Sequence, residues 1–193
     1  MNQNKITDIP SEFPKLEAKC KEIGFTMPSD IYIGTLLKSL IASKTQANIL
    51  ELGTGIGLSL AWMIEGLDES SKLTSIDNDP QLTDIALDFF GKDARVQILC
   101  EDGSQWIKNY KGEKFDLIFA DAWPGKYSEL VEVLELIQPG GFYVIDDMNP
   151  QANWPDGHQE KAEALVAYLE TRKDFSLTKM NWSTGVILMT KKG

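Results

Sequence analysis

Asn48-Ile49-Leu50-Glu51-Leu52 runs without a break into Gly53-Thr54-Gly55-Ile56-Gly57, and Leu58 opens a stretch that extends to Glu65. The first segment reads as a short buried strand and the last as a helix. Glycines at such a strand-to-helix turn let the backbone bend tightly and approach a ligand closely. A plain tight turn rarely needs three of them at alternate positions. The dinucleotide fingerprint G-x-G-x-x-G would need glycine at position 58, where this chain has Leu58. The G-x-G-x-G form suits a nucleoside with no pyrophosphate to cradle.

Outward from this loop the pattern alternates. Short apolar strands read at Leu73–Ile76, Val96–Leu99, Phe115–Ala120 and Phe142–Ile145. Helices read between them at Pro80–Phe90, Ser104–Tyr110 and Ser128–Ile137. Strands separated by helices imply βαβ units and a mostly parallel sheet covered on both faces. A last helix, Gln159–Thr171, precedes strands Phe175–Met180 and Val186–Thr190, whose Asn181–Gly185 link is short enough for a hairpin. On the N-terminal side, a helix from Ser11, its N-cap, to Ile23 stops at Gly24. Met27-Pro28-Ser29-Asp30 then introduces a second helix to about Ser43, with Ile33, Leu36, Leu37, Leu40 and Ile41 at helical spacing. The predicted fold class is α/β: a Rossmann-like, mostly parallel seven-stranded sheet with helices on both faces and a C-terminal antiparallel hairpin.

The bulk properties narrow the function. A chain of 193 residues, 42% hydrophobic and 25% charged, suits one ordinary globular domain. No apolar run approaches the roughly 20 residues that span a bilayer. MNQNKITDIP lacks the apolar core of a signal peptide, so the expected location is cytoplasmic, with no membrane partner. Cys20 and Cys100 form no CxxC or Cys/His cluster and read as buried thiols. With 29 acidic residues against 19 basic, the net charge is −10. Such a field repels phosphate backbones, and the one modest basic cluster is Arg172, Lys173 and Lys179. The expectation is therefore a small-molecule substrate and no nucleic acid; a homodimer stays open.

Two further strand ends carry polar tips. The second strand ends Ile76-Asp77-Asn78-Asp79-Pro80. Asp77, with Asn78 beside it, is placed to accept hydrogen bonds from a ribose diol. Asp79 reads as the cap of the helix that begins at Pro80. After the third strand, Asp102 could accept an adenine amine, and Gly103 would admit the flat ring. Ser104 reads equally as a helix cap or a ligand contact.

These loops, in this order, resemble class I S-adenosylmethionine-dependent methyltransferases. The nearer likeness is to the O-methyltransferase group that includes the catechol and caffeoyl-CoA enzymes. It rests on Met27-Pro28 with Gly34-Thr35-Leu36-Leu37, on Leu50–Gly55, on Phe115–Trp123 with Tyr127, and on Pro139-Gly140-Gly141 leading to Ile145-Asp146-Asp147. The resemblance implies N-terminal helices, residues 1–44, covering the cofactor site of a Rossmann-like domain, residues 45–193, in one compact unit. It implies that Glu51, Gly53, Gly55 and Gly57 surround the methionine part and ribose of S-adenosylmethionine. Asp77 would hold the ribose hydroxyls, and Asp102, Gly103, Ser104 and Gln105 would meet adenine. Asp121 would stand near both the methionine end and a metal.

In metal-dependent members an aspartate after strand four joins an Asp-Asn pair after strand five. Here those positions are Asp121, Asp146 and Asp147, an oxygen set that suits Mg²⁺, Mn²⁺ or Ca²⁺. The metal would lower the pKa of a substrate hydroxyl. The pair equally suits a strand end that caps the next turn. Catechol-type enzymes also place a lysine directly after the tryptophan, where this chain has Pro124. Lys126, two positions on, is not read as its replacement, and the lysine-base mechanism is not carried over.

Met148–His158 is an irregular segment of a length that is more often functional than not. Trp154 and Trp123 could wall a flat or cationic group. His158, the sole histidine, suits a general base, although a capping or surface histidine is the plainer reading. The expected activity is methyl transfer from S-adenosylmethionine to a hydroxyl of a small molecule, with Asp121 and His158 as catalytic candidates. The rivals are a catalytically silent cofactor-binding domain, a nicotinamide-dependent oxidoreductase on a similar sheet and, more remotely, an aminopropyltransferase.

Overall fold

The strand Asn48–Leu52, β1, is buried from Ile49 onward because it is covered on both faces. The computed structural model in which it lies describes residues 2, 5–151 and 154–193; Ala152 and Asn153 of the Met148–His158 segment lie outside them. The other strands are β2 (Lys72–Asp77), β3 (Val96–Cys100), β4 (Phe115–Ala120), β5 (Ile137–Ile145), β6 (Phe175–Met180) and β7 (Val186–Lys191). They form one seven-stranded sheet in the order β3-β2-β1-β4-β5-β7-β6. The first five strands pair in parallel, and β7 is antiparallel to both β5 and β6. β1 is an interior strand, and β4 takes the exact middle of the order.

The helices are α1 (Phe13–Ile23), α2 (Ile31–Ala42), α3 (Leu58–Gly66), α4 (Pro80–Phe90), α5 (Gly103–Asn109), α6 (Leu130–Glu135) and α7 (His158–Thr171). Side chains alternate across a strand, and here they feed two cores. Ile49, Leu117 and Phe119 pack with Phe13, Leu37 and Trp62 beneath α1, α2 and α3. Leu50, Ile118 and Ala120 pack with Val133, Leu165 and Leu169 beneath α6 and α7. The two N-terminal helices are thus part of the sheet's own core. Gly34 lets α2 lie directly on α3, since a Cβ there would come 2.4 Å from the Trp62 indole.

Several local expectations are corrected. α1 starts at Phe13, with Glu12 at the N-cap and Pro14 in the first turn, where its missing N–H costs nothing. Ser11 is not the cap. α6 is shorter than Ser128–Ile137 because Ser128 is held in a turn, its carbonyl accepting from Gly125 N at 2.7 Å. β5 is longer than Phe142–Ile145: Ile137 already pairs with Phe115, and the ladder resumes at Phe142 after a register shift. Cys20 is buried as expected, but Cys100 is exposed at the end of β3; both are free.

Candidate active site

The parallel strands end in step. Leu52 pairs with Ile76 and with Ala120, and Ala120 pairs with Ile145. The following residues, Gly53, Asp77, Asp121 and Asp146, therefore leave the sheet at one rim. Strand order reverses between β1 and β4, and such a switch point opens a crevice beyond the carboxyl ends of the strands.

Gly53 carries φ 102°, and a Cβ there would stand 2.8 Å from the Asp121 carbonyl oxygen. Only glycine lets β1 turn this close to the β4 loop. The Gly55 N–H donates to Asp77 Oδ2 at 2.8 Å, and the Asp79 N–H donates to Asp77 Oδ1 at 3.0 Å. Both oxygens are thereby fixed while each keeps capacity to accept again. Asp79 caps α4 through Gln81 N, as its position before Pro80 implied. A cavity of about 550 Å³ lies over this loop, bordered by Gly53, Gly55, Asp77, Asn78, Asp102 and Gly103, with Phe25 and Met27 from the segment before α2.

Some expected contacts do not reach that cavity. Glu51 is fully buried beneath it and accepts from Ser59 Oγ and Ser75 Oγ. Burial pushes its carboxyl up to about 7, against the two hydroxyl bonds and with the charge of Asp77 adding to the rise. Gly57, at φ 96°, backs onto Phe90, where a Cβ would stand 2.9 Å away. Ser104 Oγ turns aside to Glu129 Oε2, and Asp102 is the residue that caps α5, accepting from Gln105 N at 2.8 Å.

A second cavity, about 380 Å³, adjoins the first and shares Met27, Ser29, Asp121, Ala122 and Trp123 with it. Its far side carries Lys126, Tyr127, Asp146, Asp147, Trp154 and His158. Trp123 and Trp154 both border it, the pair read from sequence as an aromatic wall. His158 begins α7, yet its ring points inward and is 9% exposed, so it is neither a cap nor a surface histidine. Its ring centroid lies 4.5 Å from Trp154 and 5.2 Å from Tyr127, and Nε2 is 3.2 Å from Tyr127 Oη. Nδ1 is buried with no hydrogen-bond partner among the described residues. Burial first, then the charges of Lys126 and Lys161, holds the imidazole pKa below its usual value, against Asp147. Burial and the Asp147 charge push the Tyr127 phenol up to about 12.

Lys126 is the residue that the sequence reading set aside. Trp123-Pro124-Gly125 folds back, with Tyr127 N donating to Trp123 O at 2.8 Å and Gly125 at φ 83°. The buried Tyr143 hydroxyl donates to the Gly125 carbonyl and pins the turn. Lys126 is carried inward, 5% exposed, and its Nζ donates to the Asp146 carbonyl at 2.6 Å. Burial lowers the ammonium pKa, opposed by the charges of Asp121, Asp147 and Asp146.

The three aspartates lie near enough to repel one another. Burial, then the charges of Asp146 and Asp147, raises the Asp121 carboxyl well above the usual range, while Lys126 and Ser29 oppose this. Burial lifts Asp146 to about 6, against a bond from Thr184 Oγ1. Asp146 Oδ1 also accepts from Asp147 N at 2.8 Å, so this pair does close the turn after β5, with Asp147 at φ 55°. Asp121, Asp146 and Asp147 border the same cavity, as expected for a cation site, but among the described residues no group of three or more His, Cys, Asp or Glu side chains is drawn together as a ligand set. Asp146 Oδ1 already accepts from Thr184 and from its own turn, Asp121 accepts from Ser29 Oγ at 3.2 Å, and the Lys126 ammonium, bonded to the Asp146 carbonyl, is within electrostatic reach of all three. The donor set does not fit the ion.

A doubly wound sheet with paired cavities at its switch point is the architecture of Rossmann-like methyltransferases. The O-methyltransferase family profile matches residues 14–182, and the chain belongs to that family. A protein of Mycobacterium sp. (strain JLS), provisionally named an O-methyltransferase, is 32% identical over 119 residues, which cover 58% of this chain and 54% of that one. The chain thus matches about half the length of its first curated relatives. The crystal structure of the O-methyltransferase TomG from Streptomyces achromogenes, in complex with SAM, superposes with a TM-score of 0.80 at 22% identity, covering 98% of this chain and 92% of that one. The O-methyltransferase from Bacillus cereus, in complex with SAH, gives 0.79 at 22%, covering 98% and 93%. These two establish likeness of fold. Among the described residues no helix is long and apolar enough to cross a membrane.

Proposed function

We propose that the chain transfers the methyl group of S-adenosylmethionine to a hydroxyl oxygen of a small molecule. The observation that carries this reading is the pair of adjoining cavities whose common wall includes Asp121 and Trp123. One cavity would take the donor and the other the acceptor, so the reacting atoms would meet at that wall. Family membership and the SAM-bound fold neighbour support it.

S-adenosylmethionine supplies an electrophilic methyl carbon on a sulfonium. Asp77, fixed by two backbone N–H groups, would accept the ribose hydroxyls, with Asn78 beside it. Asp102 would hold the adenine amine with the carboxylate oxygen not used in capping α5, and Gly103 would pass the ring. Gly53 and Gly55 would admit the methionine and ribose portions. Glu51 and Gly57 support the loop from behind, and Ser104 is turned to Glu129.

The acceptor oxygen forms the new bond to carbon, the carbon–sulfur bond breaks with its electrons on sulfur, and the hydroxyl proton must leave. His158, whose ring borders the acceptor cavity and whose Nε2 stands 3.2 Å from Tyr127 Oη, would take that proton through this pair. Asp121 would orient the acceptor at the junction. No step runs through a divalent cation, because the residues present do not fit one.

A silent binding domain would have a filled acceptor side, and the cavity of about 380 Å³ favours turnover instead. Leu58 in the third fingerprint position counts against a nicotinamide enzyme. The deciding experiment titrates S-adenosylhomocysteine and NAD separately into the protein. Saturable one-to-one binding of the first is expected; binding of NAD alone would end this reading. Methyl transfer is then sought on a panel of small hydroxylated molecules.

A further inference from the structure

The acceptor cavity holds three aspartates and a buried lysine, and the family resemblance leaves the lysine unexplained. Lys126 is not on the surface pairing loosely: it is 5% exposed, and its Nζ is fixed on the Asp146 carbonyl at 2.6 Å. A tight turn with Gly125 at φ 83°, itself held by Tyr143, determines where its stem enters. Asp121, Asp146 and Asp147 all act on it electrostatically. A buried ammonium is expensive unless oxygen acceptors and negative charge offset its desolvation; here the Asp146 carbonyl accepts from it and the three carboxylates favour its charge.

We propose that the ammonium of Lys126 stands where a divalent cation would otherwise be needed, so that this site binds and methylates its acceptor without a metal. The lysine supplies a positive charge that balances the carboxylates and faces the oxygen from which the proton departs. It is a positioning residue with respect to Asp121 and Asp146: bonded to the Asp146 main-chain carbonyl, its ammonium puts a positive charge beside the carboxylates that a cation would have to approach. The two occupants therefore compete through charge.

Mn²⁺ is the probe. Chelator-treated protein, loaded with S-adenosylhomocysteine, is titrated with Mn²⁺ into the millimolar range. Paramagnetic resonance of the free ion and the thermal midpoint are followed together. The wild type should take up no Mn²⁺ and show the same Tm with Mn²⁺ or EDTA. Lys126→Met keeps the stem and removes the charge; its Tm should fall, and saturating Mn²⁺ should raise it again by about 5 °C. Stoichiometric Mn²⁺ uptake by the wild type would overturn the proposal, whether or not the variant folds. So would a folded Lys126→Met protein as indifferent to Mn²⁺ as the wild type. The proposal rests on the methyltransferase reading, and S-adenosylhomocysteine binding in the same samples separates failure of that reading from failure of this one.

Discussion

The main-chain N–H of Gly55 donates to Oδ2 of Asp77 at 2.8 Å, tying the glycine loop after β1 to the tip of β2. The carboxylate that would hold a ribose thus also shapes the loop that would pass it. Asp77→Ala should weaken S-adenosylhomocysteine binding by at least the loss of one charge-assisted bond, about 1.5–3 kcal/mol. Isothermal titration measures this. An unchanged Kd would remove Asp77 from the donor site.

Gly53→Ala tests the close approach of β1 to the β4 loop. Alanine at φ 102° is strained, and its Cβ would meet the Asp121 carbonyl at 2.8 Å. Strain of this kind costs about 1–3 kcal/mol. Chemical denaturation should show the loss, and S-adenosylhomocysteine affinity should drop with it as Asp121 is displaced.

Glu51 predicts a pH effect on stability. Its carboxyl is held at about 7 in the folded chain, above its ordinary 4.5. The folded state therefore binds the proton more tightly than the unfolded one. The resulting stability is fully present below pH 4.5 and is lost as pH rises through about 7, an amount of about 3 kcal/mol. Glu51→Gln should remove this component, so its stability relative to wild type should improve between those limits. Equal slopes for the two proteins over that range would show that the carboxyl is not raised.

His158→Ala should leave S-adenosylhomocysteine affinity unchanged and slow methyl transfer by about 10²–10⁴-fold, the usual contribution of a positioned base. Because burial and the lysine charges depress the imidazole pKa, the wild type should remain active at pH values below 6.5 and lose activity only as His158 is protonated further down. A pH–rate profile in which the variant keeps the acidic limb would assign the proton to another group.

The sheet was legible because its strands are short apolar runs, each closed by a polar or glycine tip. Seven strands and the antiparallel ending follow from that rhythm, as does Asp79 as a cap before Pro80. The site was read less evenly, for reasons of direction. Glu51 shares the face of Ile49, since side chains alternate along β1, and the same period that located the strand places its carboxylate under α3. Ser104 read equally as cap or ligand contact; Asp102 is the cap of α5, and Ser104 is taken by Glu129, a partner 25 residues away that local sequence does not reveal. Lys126 looked too far along the chain because its reach depends on a reversal. Pro124-Gly125 is a turn signal, and a fold-back there returns Lys126 toward β5. His158 could not be oriented from sequence, because its partners Trp123 and Tyr127 come from another loop.

Gln151, Trp154, Pro155 and His158 border only the acceptor cavity, and the glycine loop borders only the donor one. The chain is consequently divisible by grafting: exchanging the segment after β5 for that of a relative would retarget the acceptor while the donor half is inherited intact. Met27, Ser29, Asp121, Ala122 and Trp123 border both and are the exceptions. Any change at one of them is felt on both sides at once, so a new acceptor would be accommodated by rewriting the segment after β5 and leaving the partition alone.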